Sequence, residues 1–156
     1  ADSLAQCGIR VNLHYDTLET LYAPGPDGLL RGRQFDIVEA AMGSLGMDPV
    51  CEWFLGSQIP SAGNDWDGIN FSGYANPEYD SACYTAMGSL QDDEAYLAAY
   101  REIQQLFAEN LPALPLYWRI QVAAARPDLC NFLLDPVATS NLYNLESYGY
   151  GIMCSP

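Results

Sequence analysis

Side chains able to do chemistry gather between Cys51 and Tyr79. Asp65 and Asp67, with Glu52 upstream, supply the paired carboxylates that glycoside hydrolysis sets on either side of a bond. The chain holds 20 acidic residues in 156, so such a pair arises by chance, and solvated or capping roles are expected for all three. Gly63-Asn64-Asp65-Trp66-Asp67-Gly68 follows a calcium loop at its third, fifth and sixth places. Gly63 stands first and Tyr74 twelfth, where a bidentate acid belongs, so no metal site is expected. His14 is the sole histidine, on an alternating segment that turns it away from the apolar face, and a solvent-facing role is expected. No GxSxG elbow presents a serine, and Gly25-Pro26-Asp27-Gly28 lacks both the lysine of a phosphate loop and the order of a dinucleotide site. No catalytic residue and no cofactor are expected.

Aromatic residues are the stronger lead. Trp53, Phe54, Trp66, Phe71 and Tyr74 lie in or beside one irregular stretch, where rings with a few amides and carboxylates suit a pocket for an extended organic ligand. Trp53 and Trp66 serve equally well as ligand contacts or as loop packing, whereas Phe71 and Tyr74 sit in a structural motif and read as packing.

The five cysteines, Cys7, Cys51, Cys83, Cys130 and Cys154, lack zinc-type spacing, which makes disulfides and an oxidising compartment the leading explanation. Cys51, in a proline-containing loop, and Cys83, in the helix that follows, are the favoured pair. Cys7 with Cys130 is the second, Cys130 with Cys154 its competitor, and buried reduced thiols are the alternative to all of them.

The elements that must position these residues are legible from their spacing. The first residues read as the end of a helix that runs into a strand, in which Ile9, Val11, Leu13 and Tyr15 share one face. Thr17 to Tyr22 suits a short helix, ended by the proline and glycine cluster that begins at Pro24. Phe35 to Met42 reads as a more buried strand. Residues 43–75 carry six glycines and two prolines with little periodicity, and a loop of this length is where a ligand surface is expected. Asn76 and Pro77 open a helix to about Met87 whose inner face is Tyr79, Ala82, Cys83 and Ala86. Asp92 or Asp93 caps the next, where Tyr96, Tyr100, Ile103 and Phe107 recur beside Leu106 as a core stripe. Pro112 and Pro115 lead into an extended stretch with Leu116, Trp118, Ile120, Val122 and Ala124 on one face, and beyond Pro127 only turns and short extended pieces are expected.

Composition bounds the function classes. An apolar share of 49% and 17% charged residues fit one globular domain spanning residues 1–156. Six arginines, no lysine and a net charge of −14 disfavour nucleic acid and anionic membrane surfaces as partners. No run reaches the length of a membrane span and no signal-peptide pattern opens the chain. The order of strands and helices predicts an α/β domain with a mixed β-sheet and packed helices.

A set of motifs then narrows the class. SQIPSAGN is followed by the GxNxxGYxNPEYD run at Gly68, Asn70, Gly73, Tyr74, Asn76, Pro77, Glu78, Tyr79 and Asp80, by LPALPLY at 111–117, and by ARPDLCNF and YNLESY. In this order they resemble the C-terminal part of the family 5 extracellular solute-binding proteins, the oligopeptide-binding receptors of ABC importers, from about Gly8 to Tyr148. The resemblance implies part of the second lobe of a type II periplasmic-binding-protein-like fold, with roughly 135–156 returning toward the first lobe. It implies a non-enzymatic, extracytoplasmic protein, membrane-anchored at full length, with a peptide or small-molecule ligand, the first lobe and an ABC permease as partners. Cys51 and Cys83 resemble the cysteines of secreted members that carry a disulfide there. The segment after the second strand is implied to face the ligand, through Met42, Gly43, Ser44, Leu45 and Asp48. Leu45 stands where peptide-binding relatives place an acid for the peptide's amino terminus, so either Asp48 substitutes or the ligand is not held by a free amine. A secreted carboxylate-dependent hydrolase and a non-catalytic interaction module with a large exposed apolar patch are the competing classes.

Overall fold

Local signals are obeyed closely where a helix can satisfy its own backbone. The computed structural model describes residues 2–43, 50–117, 122–135, 138, 140 and 142–151. Its helices are α1 (Asp2–Gln6), α2 (Leu18–Leu21), α3 (Pro77–Met87) and α4 (Glu94–Asn110). Thr17 caps α2 by accepting from the Thr20 amide, and Asn76 caps α3 by accepting from the Glu78 and Tyr79 amides at 2.9 and 3.2 Å. Pro77 takes the first turn of α3, where no amide partner is needed, beside Glu78 and Asp80 at the positive end of the helix dipole. Asp93 precedes α4 without a side-chain cap bond, and Leu111 ends it in the left-handed region at φ 45°. Short 3₁₀ turns at Cys51–Phe54, Gly56–Gln58 and Ala62–Asn64 fill the connection before α3.

The chain divides into two compact units, Ala1–Glu39 with Cys51–Ala113, and Ala40–Val50 with Leu114–Pro156. In the first, α3 and α4 build the core. Tyr79, Ala82, Cys83 and Ala86 from α3 are buried with Ala99 and Ile103 from α4 and with Cys51 and Leu55. Tyr96, Tyr100, Leu106, Phe107, Phe54 and Tyr74 close around them, so the aromatic stripe of α4 is core, as its spacing predicts. Burying Ile103 alone contributes about 1.5–3 kcal/mol. Phe54 meets Phe107 and Tyr74 meets Tyr79 edge to face, at 5.0 and 5.3 Å between centroids, which ties the 51–74 connection to both helices.

The second unit contains a two-stranded antiparallel ladder, β1 (Leu129–Cys130) with β2 (Gly149–Tyr150), registering Leu129 with Tyr150 and Cys130 with Gly149. Asn131 at φ 61° donates to the Ser147 carbonyl, and Phe132 stacks edge-on to Tyr148. Arg126 grips Asp128 with both ends of its guanidinium, at 3.0 and 2.7 Å, and lies 5.4 Å from the Tyr150 ring centre. Short extended pieces were the expectation beyond Pro127, and that is what forms.

The longer strands do not form among the described residues. Residues 9–17 and 34–43 carry no helix or strand apart from a bend at 36–37, and Tyr15 and Ile37 are 86% and 81% exposed. Alternation gives a strand a sidedness but no hydrogen bonds, which must come from a neighbour. At the third expected strand, Leu116 and Val122 are exposed, while Trp118 and Ile120 lie outside the described residues. His14 is exposed as expected and meets Asp16 at 2.9 Å.

Candidate functional site

The connection from Cys51 to Tyr74 owes its shape to side chains of α3. Tyr79 donates its hydroxyl to the Cys51 carbonyl at 3.1 Å, and Asp80 accepts from the Gly56 amide at 3.0 Å. One turn on, Cys83 is disulfide-bonded to Cys51 and the Tyr84 hydroxyl pairs with Ser57 at 3.0 Å. These four residues fall on one helical stripe, so a single face of α3 holds residues 51–57. Burial pushes the Tyr79 hydroxyl far above the usual phenol range and raises that of Tyr74. Both hydroxyls therefore stay protonated at neutral pH.

Asn70 does for the second half of the connection what α3 does for the first. Its side chain is fully buried, donates to the Leu55 and Tyr74 carbonyls at 2.9 and 2.8 Å, and accepts from the Gly73 amide and the Ser72 hydroxyl. Its own amide reaches the Gln58 carbonyl at 2.9 Å. A buried amide with both ends satisfied fixes the loop at little cost, while removing it strands two carbonyls. Gly73 sits at φ 69°, with the Arg33 guanidinium filling the place a side chain would take. The GxNxxGYxNPEYD run is thus a scaffold whose asparagines, glycines and tyrosines act within the fold.

Asn64 to Asp67 forms a tight reverse turn beyond this scaffold. The Asp67 amide bonds to the Asn64 carbonyl at 2.9 Å, with Asp65 and Trp66 at φ 52° and 60° between them. Two consecutive left-handed residues are the mark of a type I′ turn, and a tryptophan there is unusual. Arg31 reaches Asp67 at 3.0 Å and the Trp66 carbonyl at 3.4 Å, and Gly25 backs onto the Trp66 ring. Asp67 is 79% exposed beside this cation.

Of the expected ligand contacts, Trp53 is half-buried in the first 3₁₀ turn and Trp66 is half-buried in the reverse turn. Met42 and Gly43 are exposed, and a side chain at Gly43 would meet nothing. Ser44, Leu45 and Asp48 lie outside the described residues. The Cys51–Cys83 bond forms as expected, buried at both ends with Cα atoms 5.7 Å apart. The Cys7–Cys130 pairing does not: Cys7 is an exposed free thiol on the turn after α1, while Cys130 is engaged in a disulfide elsewhere. Its competitor, Cys130 with Cys154, falls on a residue outside the described ones. Sequence reading missed Arg31, Arg33 and the 24–34 loop, whose signal was two cations beside a glycine-rich turn in a chain otherwise crowded with acids.

With this geometry in place, one comparison carries weight. The chain is similar to a peptide transport protein. Over 72 residues it is 33% identical to the peptide transport periplasmic protein SapA of Salmonella typhimurium, a stretch that covers 46% of this chain and 13% of that protein. The relationship is distant, and the chain matches only a small part of the relative's length. No family model matches, and no solved structure matches.

Proposed function

We propose that this chain is part of an extracytoplasmic solute-binding protein of an ABC importer that captures peptides or similar small organic solutes. The observation that carries the reading is the 72-residue similarity to a periplasmic peptide transport protein. The buried Cys51–Cys83 disulfide agrees with an oxidising compartment. In this reading the chain supplies later elements of the second lobe of a type II periplasmic-binding-protein-like fold. Residues 9–15, apolar in alternation, and 35–42, more continuously apolar, pair with no strand among the described residues and are then strands of a mixed sheet completed by other parts of the polypeptide.

In this reading the ligand contacts are drawn from Met42, Gly43, Ser44, Leu45, Asp48, Trp53 and Trp66. Capture proceeds by closure of two lobes, the open form dominating until a ligand bridges them, followed by delivery to a membrane permease. Water-bridged contacts to peptide backbone would give broad specificity, since bridging water satisfies a polar group without fixing residue identity. Leu45 offers no charge to a peptide amine, so the amino terminus is held by Asp48 or is not a recognition element. Calorimetry of the intact receptor against a peptide library tests the reading. Binding of mixed-sequence peptides is the expected result; silence toward all of them, with tight binding of a sugar, overturns it.

A further inference from the structure

We propose that residues 24–34 form a displaceable cover over Trp66, and that the cover and the turn beneath it open as one unit when the Arg31–Asp67 pair is broken. The cover is braced within itself. Gly28 donates to the Pro24 carbonyl, Gly32 to Gly28, Gln34 to Leu29 through its amide and to Pro26 through its side chain. Leu30 is fully buried and its amide reaches Leu21, so the loop moves as a piece about that anchor. It touches the turn at two places and Gly73 at a third. A Cβ added at Gly25 would lie 2.6 Å from Cβ, Cγ and Cδ2 of Trp66; Arg31 spans the Trp66 carbonyl and Asp67; and the Arg33 guanidinium rests on Gly73.

The backbone on both sides of this contact is held in the left-handed region, at Arg33, Asp65, Trp66 and Gly73, with φ of 49°, 52°, 60° and 69°. Three of the four carry side chains, for which that region is unfavourable, and such conformations persist where surrounding contacts over-determine them. The turn is braced from within by the Trp66 amide on Ser61, the Asp67 amide on Asn64 and the Asn64 side chain on Ile59, and Gly73 by Asn70, while the cover adds its contacts from outside. The ion pair that fastens it has side chains 33% and 79% exposed, so it contributes little and is screened by salt. A strained turn under a weakly fastened cover is poised to release. Lifting the cover frees the face of the Trp66 indole, the surface an apolar or aromatic group of a ligand would need. That last consequence rests on the reading of Trp66 as ligand-facing; the coupled opening does not.

The test needs no ligand. In the intact chain with Trp53→Phe and Trp118→Phe, Trp66 is the sole indole, and its quenching by acrylamide reports the cover. Arg31→Ala is expected to raise the quenching constant by about twofold and to speed amide exchange in 24–34 and 61–67 together, while α3 and α4 keep their protection. Gly25→Ala, which wedges the cover off without removing a charge, should do the same, and Arg101→Ala on α4 should do neither. Far-UV helicity checks that each variant folds. Should a variant fail to fold, salt decides on the otherwise unaltered single-tryptophan chain: quenching that rises up to about 1 M NaCl supports the cover, and a flat response overturns it. Exchange that quickens in only one of the two segments, quenching unmoved by Arg31→Ala or Gly25→Ala, or an equal response to Arg101→Ala overturns the proposal.

Discussion

Loop 51–74 with helices α3 and α4, and the segments 9–15 and 35–42, are both rich in apolar residues but draw their partners from different distances. In the first region the partners are close in sequence. Asn76 caps the helix it precedes, Tyr79 and Cys83 reach back to Cys51, and Asn70 serves carbonyls at 55 and 74. In the second, the alternation of Ile9, Val11, Leu13 and Tyr15 prepares a face, while Leu13 remains 59% exposed. A helix closes its own hydrogen bonds, whereas a strand inherits them. The contrast teaches that the motif-rich region is locally self-sufficient and that the apolar extended segments are not.

The comparison can be broken at its strongest fastening first. Replacing Cys51 and Cys83 together by serine is expected to cost about 3–4 kcal/mol in urea unfolding, given the 32-residue separation they bridge. Cys7→Ser, at a free exposed thiol, should stay within about 0.5 kcal/mol. Asn70→Ala comes next, at about 3 kcal/mol, because the Leu55 and Tyr74 carbonyls lose their donor inside the fold. Asn144→Ala, which removes a single 3.3 Å bond in the other unit, should cost less, and an equal loss would mean that the buried contacts of Asn70 carry no special weight.

Alkali probes the same fastening through Tyr79. Its hydroxyl keeps its proton in the folded chain well above the pH at which an unfolded tyrosine releases one. Unfolding then releases a proton, so stability is full below about pH 10 and falls as pH rises beyond it. Tyr79→Phe should flatten that decline, measured by thermal melts across pH, at a cost of about 1 kcal/mol at neutrality from the lost bond to Cys51. Asp65→Gly should instead stabilise by about 1 kcal/mol, since glycine occupies φ 52° without penalty. The smallest effects belong to the second region. Leu13→Asp and Ile37→Asp are expected within about 0.5 kcal/mol in this chain, and a larger loss would mean those side chains are covered in solution.

What could be read from the residues follows the same line. The bounds and inner face of α3, the core stripe of α4, the short helix near Thr17 and the Cys51–Cys83 bond were legible, because each depends on spacing within one element or its neighbour. The strands at 9–15 and 35–42 were not, since an apolar pattern, alternating or continuous, cannot say whether a partner is present. Nor was the contact of Arg31 with Asp67, which are 36 positions apart, or the free state of Cys7, which depends on where another cysteine is spent. Tyr74 was read as packing and does pack against the core, whereas the inward turn of Phe54 was not legible from its ring character alone.

The bond between Cys51 and Cys83 also closes residues 51–83 into a covalent ring. A protease that cuts the exposed tip at Ser61, Ala62 or Gly63 opens that ring without severing the molecule. The cut protein would keep its mass on a non-reducing gel and separate into two fragments only after a thiol is added. Damage at this exposed loop therefore leaves α3 and the first 3₁₀ turn covalently attached.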